Sequence, residues 1–446
     1  MKFYGRKAEL EMLEKSRGVA RSACSQMCVI TGRRRVGKTK LILRSLEGTP
    51  SVYWYVSRAN EAMLVASFSE AVRRSLQVFV PEGIRSFPEL FEYMMMLGKT
   101  RSFSLVIDEC QELLQVNPAV FSLIRDIWDR CKEDSRVFLV LSGSAYTMMK
   151  RLFEDYREPL FGRASQIYRL PPFGTGELKE ILSERHPGHT PDDLLALYAF
   201  TGGVPMYVEA FMDAGSVTKD AMIEQMTARG SFFLSEGQNL LISEFGREYG
   251  TYFSILAAIA EGATEAPRIS EALGGASIGN HLARLAEVYE LIEKRRPIFA
   301  SPGSQTVRWG IRDPFLRFWF RFMYKHRDLL EMNRPETVAA YIRRDYEVFS
   351  GMALEDFFRS KLRESGRFSA VSSWWDGRSG KNPSEIDIVA VDDLSKRAFV
   401  AEVKRNKKSF REGKFLDKVE QLEKKVLQKR GFTLSPAPCC LTLEDL

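Results

Sequence analysis

Val29-Ile-Thr-Gly-Arg-Arg-Arg-Val-Gly-Lys-Thr39 decides the fold of the first part of this chain. It contains G-x-x-x-x-G-K-T, with Gly32, Gly37, Lys38 and Thr39 in register. Apolar residues from Met27 to Ile30 read as a strand entering the loop, and Leu41-Ile42-Leu43 read as a helix leaving it. A glycine-rich turn between strand and helix aims successive N–H groups and the helix N-terminus at phosphate oxygens. The lysine then reaches the terminal phosphates of ATP, and the Thr39 hydroxyl is placed to hold Mg²⁺. On this reading the nucleotide touches Gly32, Arg35, Val36, Gly37, Lys38, Thr39 and Lys40. The arginines at 33 to 35 fill variable positions and are expected as exposed side chains.

Further strand-like runs alternate with helical stretches at Val52–Val56, Leu105–Asp108 and Val137–Ser142. That alternation predicts βαβ units and a parallel sheet, with ligands at the carboxyl ends of the strands. Phe103-Ser-Leu-Val-Ile107 runs straight into Asp108-Glu109. In such a place Asp108 supports the Mg²⁺ shell and Glu109 polarises the attacking water. The run at 137 ends in Ser142-Gly-Ser144, where a polar residue senses the γ-phosphate. Ser142 is the candidate, and Ser144 remains open as the alternative.

A chain of 446 residues exceeds one ordinary core and predicts two or three domains. Hydrophobic residues make up 45% and charged residues 28%, which fits a globular protein. No run approaches the roughly eighteen apolar residues that cross a membrane, and the first residues lack a signal-peptide pattern. We therefore expect a cytoplasmic protein with no membrane partner. The six cysteines form no repeated metal-ligand spacing and read as reduced thiols. With only four histidines, zinc catalysis is not expected. The net charge of +7 permits a nucleic-acid partner, and between Lys396 and Arg430 thirteen Lys/Arg face five Asp/Glu.

Beyond the α/β core at 1–170, residues 171–240 read as short helices, a helical lid. Residues 241–330 read as three short helices and a β-ribbon, the order of a winged helix-turn-helix. The aromatic block Pro314–Tyr324 follows as a packing helix. Residues 331–446 begin again as a separate α/β unit. There Asp387 opens one strand, and Glu402 and Lys404 share a face of the next by the period of two. Glu355 lies on the preceding helix. Three carboxylates brought together can hold Mg²⁺ while Lys404 orients water or stabilises a phosphoryl group.

Phe3-Tyr-Gly-Arg-Lys-Ala-Glu-Leu10, the 32–39 loop, Leu160-Phe-Gly-Arg163 and Thr201-Gly-Gly-Val-Pro205 resemble prokaryotic ATPases of the AAA+/STAND type, a family abundant in archaea. The resemblance covers nearly the whole chain. It implies that Gly5, Arg6, Gly203 and Pro205 lie beside the adenine, with ATP held between core and lid. It also makes Arg163 a candidate sensor or arginine finger. The set Glu355, Asp387 and Glu402-x-Lys404 is similar to the PD-(D/E)xK nuclease core, with the motif proline displaced to Pro383. Together these imply an α/β P-loop NTPase core, helical lid, winged helix and restriction-endonuclease-like domain. The function implied is Mg²⁺-dependent ATP hydrolysis coupled to DNA binding or processing. The alternative is an ATP-gated DNA-binding or scaffold switch with a catalytically silent nuclease fold. Oligomerisation stays open.

Overall fold

The computed structural model describes residues 2–144, 146–245, 249–301, 303, 307–376 and 384–446. Two compact units are formed, Gly5–Pro171 and a second one of Pro172–Leu446 together with the residues up to Tyr4.

The first unit runs α1 (Lys7–Ser22), β1 (Gln26–Thr31), α2 (Lys38–Leu46), β2 (Ser51–Tyr55), α3 (Glu61–Leu76) and α4 (Phe87–Leu97). It continues with β3 (Phe103–Asp108), α5 (Leu113–Val116), α6 (Val120–Cys131), β4 (Val137–Gly143), α7 (Tyr146–Glu154) and β5 (Gln166–Arg169). The five strands pair in parallel in the order β2-β3-β4-β1-β5. Strands β3 and β4 are buried throughout and β1 nearly so. Parallel strands covered on both faces are apolar in this continuous way. Strand β5 was not expected. It has four residues and alternates half-buried with exposed positions, too short and too polar to stand out by pattern.

The order of the strands matters for chemistry. Strand β4 lies between β1, which leads into the P-loop, and β3, which ends in Asp108. Thr31 pairs with Gly143 and Ile107 with Leu141, so the carboxyl ends of all three strands open side by side.

The second unit starts with α8 (Thr175–Arg185), α9 (Pro191–Thr201), α10 (Pro205–Asp213), α11 (Lys219–Thr227) and α12 (Phe233–Phe245). Next come α13 (Tyr249–Ala260), α14 (Ala266–Ala272), α15 (Gly279–Glu287) and the antiparallel ribbon β6 (Ile292–Arg295) and β7 (Arg308–Ile311). Helix α16 (Pro314–Phe318) passes into one π-helical turn over Trp319–Tyr324, and α17 (Arg327–Glu331) follows. The long α18 (Pro335–Glu364) then leads into a sheet of β8 (Ala370–Trp375), β9 (Glu385–Asp392) and β10 (Arg397–Val403). Helix α19 (Glu412–Leu422) precedes two short strands, β11 (Thr433–Leu434) and β12 (Cys439–Leu441). Both lie parallel to β10, whereas β9 pairs antiparallel with β8 on one side and β10 on the other. Pro302 and Pro383 lie outside the described residues.

One hydrophobic core joins these parts. Phe200, Tyr207, Phe315, Phe318, Phe349 and Ile388 all belong to it. The aromatic block is buried within it at Phe315, Phe318, Trp319, Phe320 and Phe322, so it serves packing. Phe200 and Phe318 meet at 4.6 Å between ring centres, and Phe318 and Phe349 at 5.8 Å. Helix α18 therefore starts well before the amphipathic stretch at 349. Its first turns bury Val338, Ala339 and Ile342 against the same aromatics. All six cysteines are free thiols, and Cys439 and Cys440 sit in β12 opposite Ala401 and Glu402. Among the described residues no helix is long and apolar enough to cross a membrane.

Candidate functional site

The P-loop is shaped by backbone conformations that favour glycine. Gly37 caps α2 at φ +87°, in the left-handed region that side chains avoid. At Gly32 a Cβ would stand 2.7 Å from the carbonyl oxygen of Leu170. Lys38 opens α2 and is buried, and its Nζ donates to the carbonyls of Gly32 at 2.8 Å and Arg33 at 3.1 Å. Burial pushes the ammonium down to about 8, while Glu109 and Asp108 pull the other way. A cation held in a dry loop by backbone carbonyls is poised to exchange them for phosphate oxygens.

Around that cation the acids of β3 converge. Thr39 Oγ1 donates to Asp108 Oδ2 at 2.9 Å. The Tyr53 hydroxyl of β2 donates to the same oxygen, and burial together with that bond keeps the phenol protonated. The Thr39 and Asp108 oxygens thus lie within one hydrogen bond of each other, which suits a hard divalent cation such as Mg²⁺.

Glu109 adopts a left-handed backbone at φ 54°, which turns it out of the strand. Its Oε2 accepts from Gln111 Nε2 at 2.6 Å, from Ser144 Oγ at 2.9 Å and from the Ser144 amide at 3.3 Å. Ser144, past the end of β4, therefore touches the acid. Ser142 does not: it is still inside the strand, fully buried, and its Oγ has no partner among the described residues. The assignment of the strand-end contact moves from Ser142 to Ser144. Tyr53 and Gln111 carry no motif, and only the folded strand order brings them in. We expect Glu109→Gln to retain ATP binding while slowing hydrolysis by about 10²-fold or more, read as phosphate release.

The remaining residues of the nucleotide reading are placed as follows. Val36 is buried and Lys40 is exposed. Of the three loop arginines only Arg34 is exposed, and Arg33 and Arg35 are half-buried. Gly5 and Arg6 precede α1, both with positive φ. The Arg6 guanidinium is buried, bonded to Glu9 at 3.2 Å and to the Pro171 carbonyl at 2.6 Å, a role in holding the unit together. Arg163 is bonded to Asp129 of α6 at 3.2 Å and to the Phe161 carbonyl at 2.8 Å. Those bonds join it to none of Lys38, Asp108 or Glu109. Gly203 and Pro205 lie in the second unit, at the turn from α9 into α10.

The second constellation lies where β9 begins and β10 ends. Asp387 Oδ2 accepts the Val403 amide at 2.8 Å, so the two strands are stitched at the acid itself. Lys404 Nζ stands 3.0 Å from Glu402 Oε1 and 3.6 Å from Asp387 Oδ2. Lys418 of α19 adds a second cation 3.1 Å from Glu402. Glu355 joins from α18. Burial raises its carboxyl to about 7 against the pull of Arg359, and Asp387 and Asp356 push it further. Burial also raises Asp387, with Glu402 adding to it, against the Val403 amide and Lys404.

All four residues thus meet in one neighbourhood, with one correction. Among the described residues no three His, Cys, Asp or Glu side chains stand as a metal-ready set. Two lysines occupy the carboxylates instead, so the expected Mg²⁺ shell of Glu355, Asp387 and Glu402 is not preassembled. Strand spacing alone could not show this, because Lys418 arrives from α19, 16 residues beyond Glu402.

Behind Glu355 lies a charge network that no motif announces. Asp356 is buried and contacts Arg317 at 2.5 Å, Arg359 at 2.7 Å and Arg295 at 3.3 Å. Burial would raise its carboxyl, but the three guanidinium groups together hold it well below the usual carboxylate range. Arg359 also reaches Glu355 at 3.2 Å and the Asp387 carbonyl at 2.9 Å. One carboxylate thereby ties the ribbon, α16 and the start of β9 to α18.

Residues 3–211 match a family described as an ATPase domain predominantly from Archaea. The matched span contains the P-loop and the acidic end of β3. Residues 319–416, which span α18 and β8 to β10, match archaeal and bacterial proteins of unknown function. An uncharacterized protein of Methanocaldococcus jannaschii is 28% identical over 388 residues, covering 85% of this chain and 82% of that protein. A second one from the same organism is 34% identical over 68 residues, 15% of this chain and 66% of that protein. Among solved structures, a Walker-type ATPase of Pyrococcus abyssi aligns with a TM-score of 0.54 at 19% identity. It covers 72% of this chain and 96% of that one, a likeness of fold. Lys38, Asp108 and Glu109 all lie inside the span that matches the ATPase-domain family.

Proposed function

We propose that this ATPase domain hydrolyses Mg²⁺-bound ATP and that its nucleotide state governs DNA binding or processing by the unit Pro172–Leu446. The observation that carries the ATPase half is the convergence of Thr39, Asp108 and Glu109 on the buried Lys38. Lys38 binds the β- and γ-phosphate oxygens, and the amides at the start of α2 orient them. Thr39 and Asp108 would hold Mg²⁺, which supplies positive charge to the phosphates when bound. Glu109 aligns the attacking water and accepts its proton at a carboxylate oxygen. To do so Oε2 must exchange the Gln111 and Ser144 donors for water, so those donors hold the acid in a resting position.

The DNA half rests on the order α13, α14, α15, β6, β7, that of a winged helix, and on the Lys/Arg excess after β10. A nuclease-like fold accounts for the meeting of Glu355, Asp387, Glu402 and Lys404. The second reading, a nuclease fold that binds without cutting, draws on the lysines that occupy Asp387 and Glu402. Incubating the protein with single- and double-stranded DNA and Mg²⁺ or Mn²⁺, with and without ATP, separates the two. Cutting that Asp387→Asn or Glu402→Gln lowers by about 10²-fold or more favours the nuclease. Binding with no cutting under any condition leaves the switch.

A further inference from the structure

A cleft of about 1140 Å³ opens in the second unit between the ribbon β6–β7, the start of α14, and the ends of β8 and β9. Arg268, Lys294, Arg296 and Arg308 line it together with Glu355 and Glu385. We propose that this cleft is the seat of single-stranded nucleic acid, whose phosphates lie on the ribbon side while Glu355 stands on the opposite wall. The inference rests on the reading that this unit handles DNA, and it says which surface does so. The helix that a winged helix-turn-helix would ordinarily insert into a groove is not that surface.

Four observations support it. First, the walls are fixed to each other, so the cleft is a built feature. The Ile298 amide donates to the Ser373 carbonyl at 2.9 Å, and Ser372 Oγ donates to the Arg296 carbonyl at 3.3 Å. Arg308 pairs with Glu385 at 2.7 Å and lies 4.6 Å over the Trp375 ring.

Second, cations are in surplus. The lining holds seven Lys/Arg against four Asp/Glu, and three of those cations share the single Asp356 carboxylate behind it, which leaves an excess of two. Third, Arg296 carries the unmet demand. Its Nε is buried and has no hydrogen-bond partner among the described residues, although its backbone is pinned to β8. Arg268 adds a charge that is only loosely held, 4.0 Å from Glu265. A donor buried without a partner is destabilising, and an incoming phosphate oxygen relieves that.

Fourth, size and shape select the ligand. At about 1140 Å³ the cleft is slightly larger than the roughly 300–1,000 Å³ typical of small-molecule pockets, and its cations stand beside the apolar rings of Trp309 and Trp375, which offer a base a stacking surface. A B-form duplex is on the order of 20 Å across and needs an open face, whereas a single strand threads a cleft and follows its cations. Helix α15, by contrast, spends its Arg284 over Tyr252 and Tyr289, 5.7 and 5.8 Å from their ring centres.

The test is fluorescence anisotropy of the full chain with a labelled 20-nucleotide single strand and the matching duplex in EDTA, where metal-dependent cutting does not intervene. Circular-dichroism melts confirm that each variant is folded. We expect the single strand to bind more tightly than the duplex. Arg296→Ala with Arg268→Ala should raise Kd by on the order of tenfold and flatten its salt dependence by about one to two phosphate contacts. Arg284→Ala on α15 serves as the comparison. If it weakens binding while the Arg268/Arg296 variant binds like the unmodified chain, the nucleic acid lies on α15 and the cleft assignment is overturned. Tighter binding of duplex, or competition by polyglutamate as strong as by unlabelled strand, also overturns it. If the unmodified chain binds neither nucleic acid, the DNA half of the proposed function fails with it. Binding with no cutting in Mg²⁺ bears on the nuclease reading alone. Should the double variant not fold, Arg268→Glu, at an exposed position, makes the same test.

Discussion

Lys38→Ala should reduce ATP hydrolysis by at least 10²–10³-fold, to the background of the assay, the loss typical of removing one preorganised donor to transition-state charge. The ammonium is buried and bonded to the loop carbonyls of Gly32 and Arg33, where it stands at the mouth of the phosphate loop. Removing it also leaves Asp108 and Glu109 without the cation that draws on both. Two carboxylates then face an incoming polyphosphate, so nucleotide affinity should fall along with turnover. Phosphate release and isothermal titration on the same preparation check both. Turnover at the unmodified rate overturns the site. Lys38→Arg should not restore activity, because a planar guanidinium cannot occupy the space of a compact ammonium in the closed loop.

Asp356→Ala should be the most destabilising single substitution in the second unit, by about 3–5 kcal/mol. Three arginines converge on this carboxylate from the ribbon, α16 and α18, with Arg317 and Arg359 buried and Arg295 partly so. The variant leaves those charges facing one another. Asp356→Asn should recover only part of the loss, since an amide keeps hydrogen bonds but not the charge. The acid dependence has a definite sign. Asp356 is held below the ordinary carboxyl range, so its contribution is fully present above that range and is lost as pH falls through the depressed value. The unmodified chain should therefore lose stability in strong acid, and Asp356→Ala should show less of that loss. Calorimetric or circular-dichroism melts at neutral and acid pH measure both effects. Equal melting temperatures for variant and unmodified chain would show that the network contributes nothing net.

These two residues mark the limits of reading the chain without its fold. Lys38, Thr39, Asp108 and Glu109 were legible because each sits at a defined offset from an apolar strand. Phosphate binding demands that local geometry, and a local demand leaves a local pattern. Asp356 was not legible although it adjoins Glu355, because its partners Arg295 and Arg317 lie 61 and 39 positions earlier. Ser142 and Ser144 illustrate the same limit at close range. Two serines on either side of Gly143 cannot be told apart by spacing, and the point where β4 releases the chain chooses between them. At the second constellation the acids and Lys404 could be read by the period of a strand, but Lys418 could not, and it changes what the acids are free to hold.

The sequence by itself determined the P-loop, the acidic end of β3, the parallel α/β character of the first unit and the succession of three helices and a ribbon. Each of these is written in contacts between neighbours along the chain, through strand and helix periodicity and through glycine's access to positive φ. The tertiary structure alone decided that β4 lies between β1 and β3, that Gln111 and Ser144 restrain Glu109, and that lysines fill the acidic site. It also decided that the ribbon packs on the C-terminal sheet to leave a cationic cleft. Those outcomes depend on electrostatic and packing energies between residues distant in sequence. Such energies exist only once the chain has closed on itself.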